Sequence, residues 1–593
     1  MAALRTDWLD RHWRPVLLLM WAAIAAYLLI QRWAAIRGFG LSDTDDNLRM
    51  MQVRALIEGQ GWYDLRQYRL NPPFGADIHW SRLVDLPIAG IKLLLAPVVG
   101  GRTAELIAVA AAPLLPMLVA MTALAVTARR MIDGRAFALA IVLIACAGSA
   151  RGMWTPLRLD HHGWQLALLA VTLAALTDSR RARGGATLGI ATALSLTIGL
   201  EMLLYLATAG AMTVLRWIID RDEARRLAAY GAALGGGCAF GFLIFASEAN
   251  RAAVCDALSP VWLSAMVAAG AISVALAMLN PAGRVARLAE AAVAGAVLAG
   301  AFALLWPHCL GRLEGSSPEL EQLWLSRVRE AMPVWRHGAR TAALVVTLPI
   351  AGLAGYALML WTHRRNPARF VPWLALALPA ILAAALLLWQ TRAGPAAQLL
   401  SIPGATALAW AIIMWVQSLR SLVLRVGIVL AVVLIVSGLA TGYVTQAFPQ
   451  AVSDYRRSIN LANARCPTLQ SLRPVAQQPP GTVLTFVDLG PRLITVTPHN
   501  ALAGPYHRNA EQIIDVMRAW RGNADQARAT IERYRVDYVL ICPNLSESTI
   551  YRAEAPRGFY ARLASGRTPD WLEPVPLPEN SPYRMWRVVK HDS

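Results

Sequence analysis

The sequence predicts a polytopic α-helical membrane protein with a C-terminal soluble α/β domain, and three observations carry that expectation. Of 593 residues, 56% are hydrophobic and only 16% charged, too apolar for a soluble multidomain chain. Apolar runs near the roughly 20 residues needed to cross a hydrocarbon core of about 30 Å recur from Val16 to Val444 and then stop. The net charge of +19 is almost all arginine, set in small groups between those runs. That is a topology pattern and predicts no nucleic-acid partner.

Taken in order, the runs predict about 13 spans, near residues 15–36, 104–127, 136–150, 164–177, 186–200, 202–218, 227–246, 259–279, 289–306, 341–361, 370–389, 401–417 and 426–446. Arg5, Arg11 and Arg14 precede the first. Later clusters stand at Arg129/Arg130/Arg135, Arg180/Arg181/Arg183, Arg221/Arg225/Arg226, Arg284/Arg287, Arg364/Arg365/Arg369 and Arg420/Arg425. The positive-inside rule puts these loops and the N-terminus in the cytoplasm, and the C-terminal part outside a bacterial-type inner (plasma) membrane. The first run lacks a small-x-small cleavage site and reads as an uncleaved anchor, with a removed signal peptide as the alternative. The stretch 86–101 is short and carries Lys92, which predicts an interfacial helix on the outer leaflet.

This divides the chain into a membrane part, 1–446, with rich outer loops at 37–103, 151–163 and 307–340, and a soluble part, 447–593. In the latter, GTVLTFVDLG reads as a strand ending in a turn and VDYVLICP as a buried strand, while NAEQIIDVMRAW and ADQARATIERY read as amphipathic helices. Of six cysteines, Cys466 and Cys542 fall here; an oxidising compartment permits a disulfide between them, two buried free thiols being the alternative.

The outer loops concentrate acids. SDTDDNLRM holds Asp43, Asp45 and Asp46, a good helix start if nothing more. RLDHHG sets Asp160 beside His161 and His162 just before a span, and RVREAMP adds Glu330. Three acidic positions on one membrane face, each near a helix end, predict a shared divalent-cation site at Asp43, Asp160 and Glu330. Oxygen ligands suit Mg²⁺ or Mn²⁺, and the histidines keep zinc open. Arg392, just beyond a span, suits bidentate phosphate contact or interfacial snorkelling. His499, His507 and Arg508 have acceptor-cleft or packing roles open to them. Glu201 reads as lying in an outer turn rather than as an intramembrane acid, Trp80 as an interfacial anchor, and Arg82 with Asp85 as a loop ion pair.

This set resembles the GT-C membrane glycosyltransferases, in particular the catalytic subunit of oligosaccharyltransferases. DTDDNLR is similar to that family's first-loop motif at Asp43, Asn47 and Arg49; Asp160, His161 and His162 match its Asp-His-His; RVRE keeps Val328 and Glu330 but has Arg327 at the hydroxyl position. The family's Trp-Trp-Asp-Tyr-Gly signature stands as FVDLG, retaining Asp488 and Gly490 without either tryptophan. The resemblance implies inverting transfer of a sugar from a polyprenyl-linked phosphate donor to an extracytoplasmic glycan, lipid or protein acceptor. In it Asp43 is base and metal neighbour, Asp160 and Glu330 are metal-associated acids, Arg392, His161 and His162 serve the donor phosphate, and Asp488, His507 and Arg508 lie on the acceptor side. The lost tryptophans put recognition of an Asn-x-Ser/Thr sequon in question, leave the donor half of the reaction intact and leave the acceptor open.

Two other classes compete: a metal-independent polyprenyl-monophosphate-sugar transferase on the same fold, and a lipid-linked-sugar flippase. A flippase does not call for three acid-bearing outer loops, and it favours charges within spans. A membrane anchor for an outer binding domain does not need so many spans.

Overall fold

The computed structural model describes residues 8–41, 43–447 and 452–589, so Arg5 and the expected domain boundary at 446/447 lie at or outside the limits of the described residues. The chain is a polytopic helical membrane protein. Each predicted span falls on a helix, from Trp13–Arg37 to the bent pair Leu422–Val436 and Leu439–Gln446. Among the described residues, eight helices are long and apolar enough to cross a membrane, or nine with the bent pair, fewer than the thirteen expected. The shortfall has a physical cause. Phe137–Cys146, His162–Leu176 and Leu203–Ile219 are apolar but only 10–17 residues long, and Gly438, at φ +81°, bends the last pair by 78°. The 86–101 stretch forms the helix Asp85–Val99, which is not a candidate span. Gly100, at φ +81°, then turns the chain into Gly101–Ala111.

Close helix contacts use small residues, as expected where lipid is as apolar as the side chains. A methyl group at Gly355 would strike the carbonyl of Gly404, and one at Gly352 would strike Ser401, so helices Ala339–His363 and Gly394–Val416 touch backbone to backbone. We expect Gly355→Leu to cost about 1–3 kcal/mol or more by overpacking, read as a fall in thermal unfolding temperature in detergent. Gly427→Leu is the control, because nothing lies within 4 Å of that position.

The C-terminal part carries a five-stranded sheet, with β1 Thr482–Leu484, β2 Asn500–Ala501, β3 Tyr538–Ile541, β4 Leu572–Val575 and β5 Arg584–Val588, in the order β2-β1-β3-β5-β4. β1 pairs in parallel with β2 and β3, and β5 lies antiparallel between β3 and β4. The expected helices are present at Ala510–Arg521 and Ala524–Arg533, and Cys466 is bonded to Cys542.

The first of the acid-bearing loops, 37–103, is built into this part. Leu70 bridges to Ala501 beside β2, and Leu48, Met51, Leu70, Ile78 and Trp80 share one core with Phe486, Trp520 and Tyr551. Trp80 is thus 3% exposed and is no interfacial anchor. The guanidinium of Arg49 lies 4.3 Å from its ring centre. The pair Arg82–Asp85 is buried rather than a loop contact, and Asp85 also takes Arg49 at 2.9 Å. The helix Thr44–Ile57 therefore rests on a rigid base, with its N-cap Asp43 pointing outward.

Candidate active site

Asp43 caps its helix by accepting from the Thr44 amide, and its side chain stays 44% exposed. Asp46, one turn on, is fully buried and accepts from the amides of Leu159 and Asp160 at 2.7 and 3.0 Å. These bonds pin the second acid-bearing loop, 151–163, onto the first. They also bring up Arg158, which contacts Asp43 at 2.6 Å, Asp160 at 3.2 Å and Asp46 at 3.5 Å. Asp43 and Asp160, expected to share a cation, share a guanidinium.

Glu330 is not with them. It is exposed on the turn Arg329–Ala331, and among the described residues the ligand atoms that converge here within 4.8 Å belong to Asp160, His161 and His162, with neither Glu330 nor Asp43 among them. Its loop is fastened elsewhere, because the Met332 carbonyl accepts from the Thr391 amide at 2.8 Å. That sets it against the turn Thr391–Ala393, where Arg392 is exposed.

The two histidines divide. His161 is buried and held at both ring nitrogens, Nδ1 lying 2.7 Å from Asp160 and Nε2 2.9 Å from Glu201, so it is not free to hold a phosphate. Glu201 occupies the turn between Arg181–Ile198 and Leu203–Ile219, as expected, and also accepts from Gln165 at 2.6 Å. His162 meets Asp160 through Nδ1 at 2.5 Å and is 31% exposed, leaving Nε2 available.

Electrostatics follow from this packing. Burial opposes a charge on His161, but Asp160 and Glu201 outweigh it and push the imidazole up to about 10. Burial likewise opposes ionisation of Asp160, and His162 and His161 outweigh it, holding the carboxyl well below the usual range. Asp46 moves the other way, pushed up to about 7 by burial, with Arg158 resisting. Asp45 is also raised, by burial and then by Asp160 and Asp43. A buried acid with a raised value binds more protons folded than unfolded, so its contribution is full below its ordinary value of 3.8 and lost as pH rises through about 7. We therefore expect Asp46→Asn, whose Oδ1 still accepts both amides, to unfold with a smaller fall in melting temperature between pH 5 and pH 8 than the unaltered chain.

From the C-terminal part, Asp488 sits on the turn Val487–Leu489, reachable by solvent yet surrounded by protein. Loss of bulk water and then the charge of Asp43 push its carboxyl up to about 6. Its turn is held by buried Glu547, which accepts from the amides of Val487 and Asp488 at 3.0 and 2.8 Å and from the Tyr551 hydroxyl. Phe486 fills an aromatic cluster with Trp520, Tyr551 and Tyr560. His507 and Arg508, expected beside the acceptor, clamp Asp256 at 2.6 and 2.7 Å, joining the C-terminal part to a loop that Cys255–Cys309 also ties down. His499 is buried against the Val475 carbonyl and does not line the site.

Arg158, Asp46 and Glu201 carry as much of this geometry as the residues singled out from the sequence. Arg158 stands two positions before Asp160, in a loop already marked by its acid and two imidazoles. A basic residue inside such a motif was the available signal.

No family model matches the chain, and no curated protein matches it. Among solved structures, the archaeal oligosaccharyltransferase AglB from Archaeoglobus fulgidus, in complex with an inhibitory peptide and a dolichol-phosphate, is similar with a TM-score of 0.69 at 14% identity, over 96% of this chain and 73% of its own. The same organism's oligosaccharyltransferase tethered to an acceptor peptide with an NVT sequon gives 0.67 at 14% identity, over 94% and 72%. Its complex with Zn and sulfate gives 0.61 at 14%, over 94% and 71%. At such identity the likeness establishes the fold: the chain has that of the oligosaccharyltransferases.

Proposed function

We propose that the chain is a GT-C membrane glycosyltransferase that moves a sugar or oligosaccharide, with inversion, from a polyprenyl-(pyro)phosphate donor to an extracytoplasmic acceptor. The observation that carries this reading is the convergence of Asp43 from the first outer loop, Arg158 and Asp160 from the second, and Asp488 from the outer part, on the fold just described.

In the reaction, the acceptor oxygen attacks the anomeric carbon as the bond from that carbon to the phosphate oxygen breaks. The phosphate leaves with the electron pair, and the acceptor proton passes to Asp43. Arg158 orients Asp43 and Asp160 through its two-sided contact. His162 Nε2 meets the developing phosphate charge, and protonated His161 supports Asp160.

The donor set fits a divalent cation. Asp43, Asp45, Asp46, Asp160 and Glu201 place five carboxylates against Arg158 and His161. Among the described residues, Asp46 Oδ2, buried, accepts no hydrogen bond and meets only the Arg158 guanidinium at 3.5 Å, while Asp160 Oδ1 meets only the His161 ring at 2.7 Å. Asp160 and His162, from the one group of converging ligand atoms here, would hold the ion, Mg²⁺ or Mn²⁺, with Asp43 beside it across Arg158 and Glu330 outside. When bound it supplies positive charge beside the leaving phosphate. A second reading is favoured by the position of Arg158, which supplies a cation at the same carboxylates, and makes transfer metal-independent.

With both signature tryptophans absent, a hydroxyl on a glycan, lipid or protein is the acceptor we favour, since Asp43 can take its proton directly. We expect Asp488→Ala to raise the acceptor KM about tenfold, by loss of roughly one charge-assisted hydrogen bond, while donor affinity stays unchanged. Mass-spectrometric comparison of envelope glycans with and without the gene tests the overall reading. A glycan lost without it supports transfer, and identical profiles oppose it.

A further inference from the structure

The opposite end of the molecule carries a second charged site. The helix Arg181–Ile198 is followed at one end by Glu201 of the acidic cluster. At about 1.5 Å per residue its 18 residues put its other end roughly 27 Å away. There a cavity of about 650 Å³ opens between the starts of this helix and Ala224–Phe245 and the end of Leu203–Ile219. Its walls hold Arg180, Arg181, Arg183, Arg216, Arg225 and Arg226 against one carboxylate, Glu223.

These guanidinia are built in, not splayed on a loop. Arg226, buried, bonds Glu223 at 2.5 Å and the carbonyls of Ala175 and Asp178 at 3.0 and 2.6 Å. Arg216 bonds the Leu176 carbonyl and Glu223. Arg181 pairs with Asp220, Asp222 and Glu223, and Arg183 with Asp178. Arg180 and Arg225 remain: both are exposed, and among the described residues neither side chain has an ion-pair or hydrogen-bond partner. Topology alone asks for basic loops; it does not ask that six arginines from three helix ends face one space, where Asp178, Asp220, Asp222 and Glu223 answer four of them and leave the charges of Arg180 and Arg225 for an anion.

We infer that this cavity binds the phosphodiester headgroup of an anionic phospholipid in the leaflet opposite the acidic cluster. A lipid suits the place, because the cavity opens at the ends of apolar helices where headgroups lie, and basic pockets between such ends attract them. The inference is independent of the glycosyltransferase reading.

Native mass spectrometry of the full chain in neutral detergent tests it, with phosphatidylglycerol and phosphatidylcholine titrated separately and together with millimolar inorganic phosphate. Phosphatidylglycerol should bind at least tenfold tighter than phosphatidylcholine. The Arg180→Gln/Arg225→Gln variant should lose that preference about tenfold with unchanged melting temperature, while Arg364→Gln/Arg365→Gln, at another helix end, keeps it. Equal binding of the two lipids, or full selectivity in the Arg180/Arg225 variant, overturns the site. Occupancy by inorganic phosphate without lipid preference overturns the lipid assignment.

Discussion

Asp43→Asn should lower sugar transfer by about 10²–10⁴-fold, the range for loss of a positioned general base, with no loss of folded protein. The amide still caps the helix Thr44–Ile57, because its oxygen accepts from the Thr44 amide as the carboxylate does. What disappears is the site for the acceptor proton and one arm of the contact to Arg158. The fall should appear in kcat, with donor affinity retained, in assays of transfer from a polyprenyl-linked sugar. A variant with near-normal kcat would remove Asp43 from the chemistry and leave it a cap.

The second large effect separates the two sources of positive charge. Excess chelator should lower transfer at least 10²-fold, restored by Mg²⁺ or Mn²⁺, since removing a fixed electrostatic partner of a developing anion costs about 10²–10³. Arg158→Gln should cost less, about tenfold, and keep the metal requirement, because it loosens Asp43 and Asp160 without removing either. The opposite pattern, full activity in chelator and near-complete loss in Arg158→Gln, assigns the charge to the guanidinium. Its reach to three carboxylates makes that outcome chemically coherent.

How much of this was legible in the sequence depends on whether the signal was local. Apolar runs and arginine clusters are local, and each predicted span lies on a helix. Strand β1 with its turn and the helices Ala510–Arg521 and Ala524–Arg533 were readable from periodicity for the same reason. Two short strands near the C-terminus and the two-residue β2 were not, being too brief to show a period. Partners of loop residues were hidden as well. Trp80 reads as an interfacial aromatic until Arg49, His161 and Tyr506 close around it. Cys255 and Cys309 stand 54 residues apart in separate loops. Glu330 matched a motif, yet the hydrogen bond from Thr391 to Met332 draws its loop toward Arg392. The sequence marked Asp43 and Asp160 as candidates; that they meet through Arg158 was decided by the Asp46 side chain that fastens the second loop to the first.

The most direct measurement reconstitutes the purified chain in liposomes with a polyprenyl-phosphate donor carrying a labelled sugar and a mixed envelope acceptor fraction. It follows where the label goes. The label should move from lipid to an acceptor hydroxyl with inverted anomeric configuration, and Asp43→Asn should slow that movement about 10²–10⁴-fold. Label that stays on the lipid and only changes leaflet would contradict transfer and make the chain a flippase. Efficient transfer to a short Asn-x-Thr peptide, abolished by replacing its threonine, would contradict the reading of FVDLG.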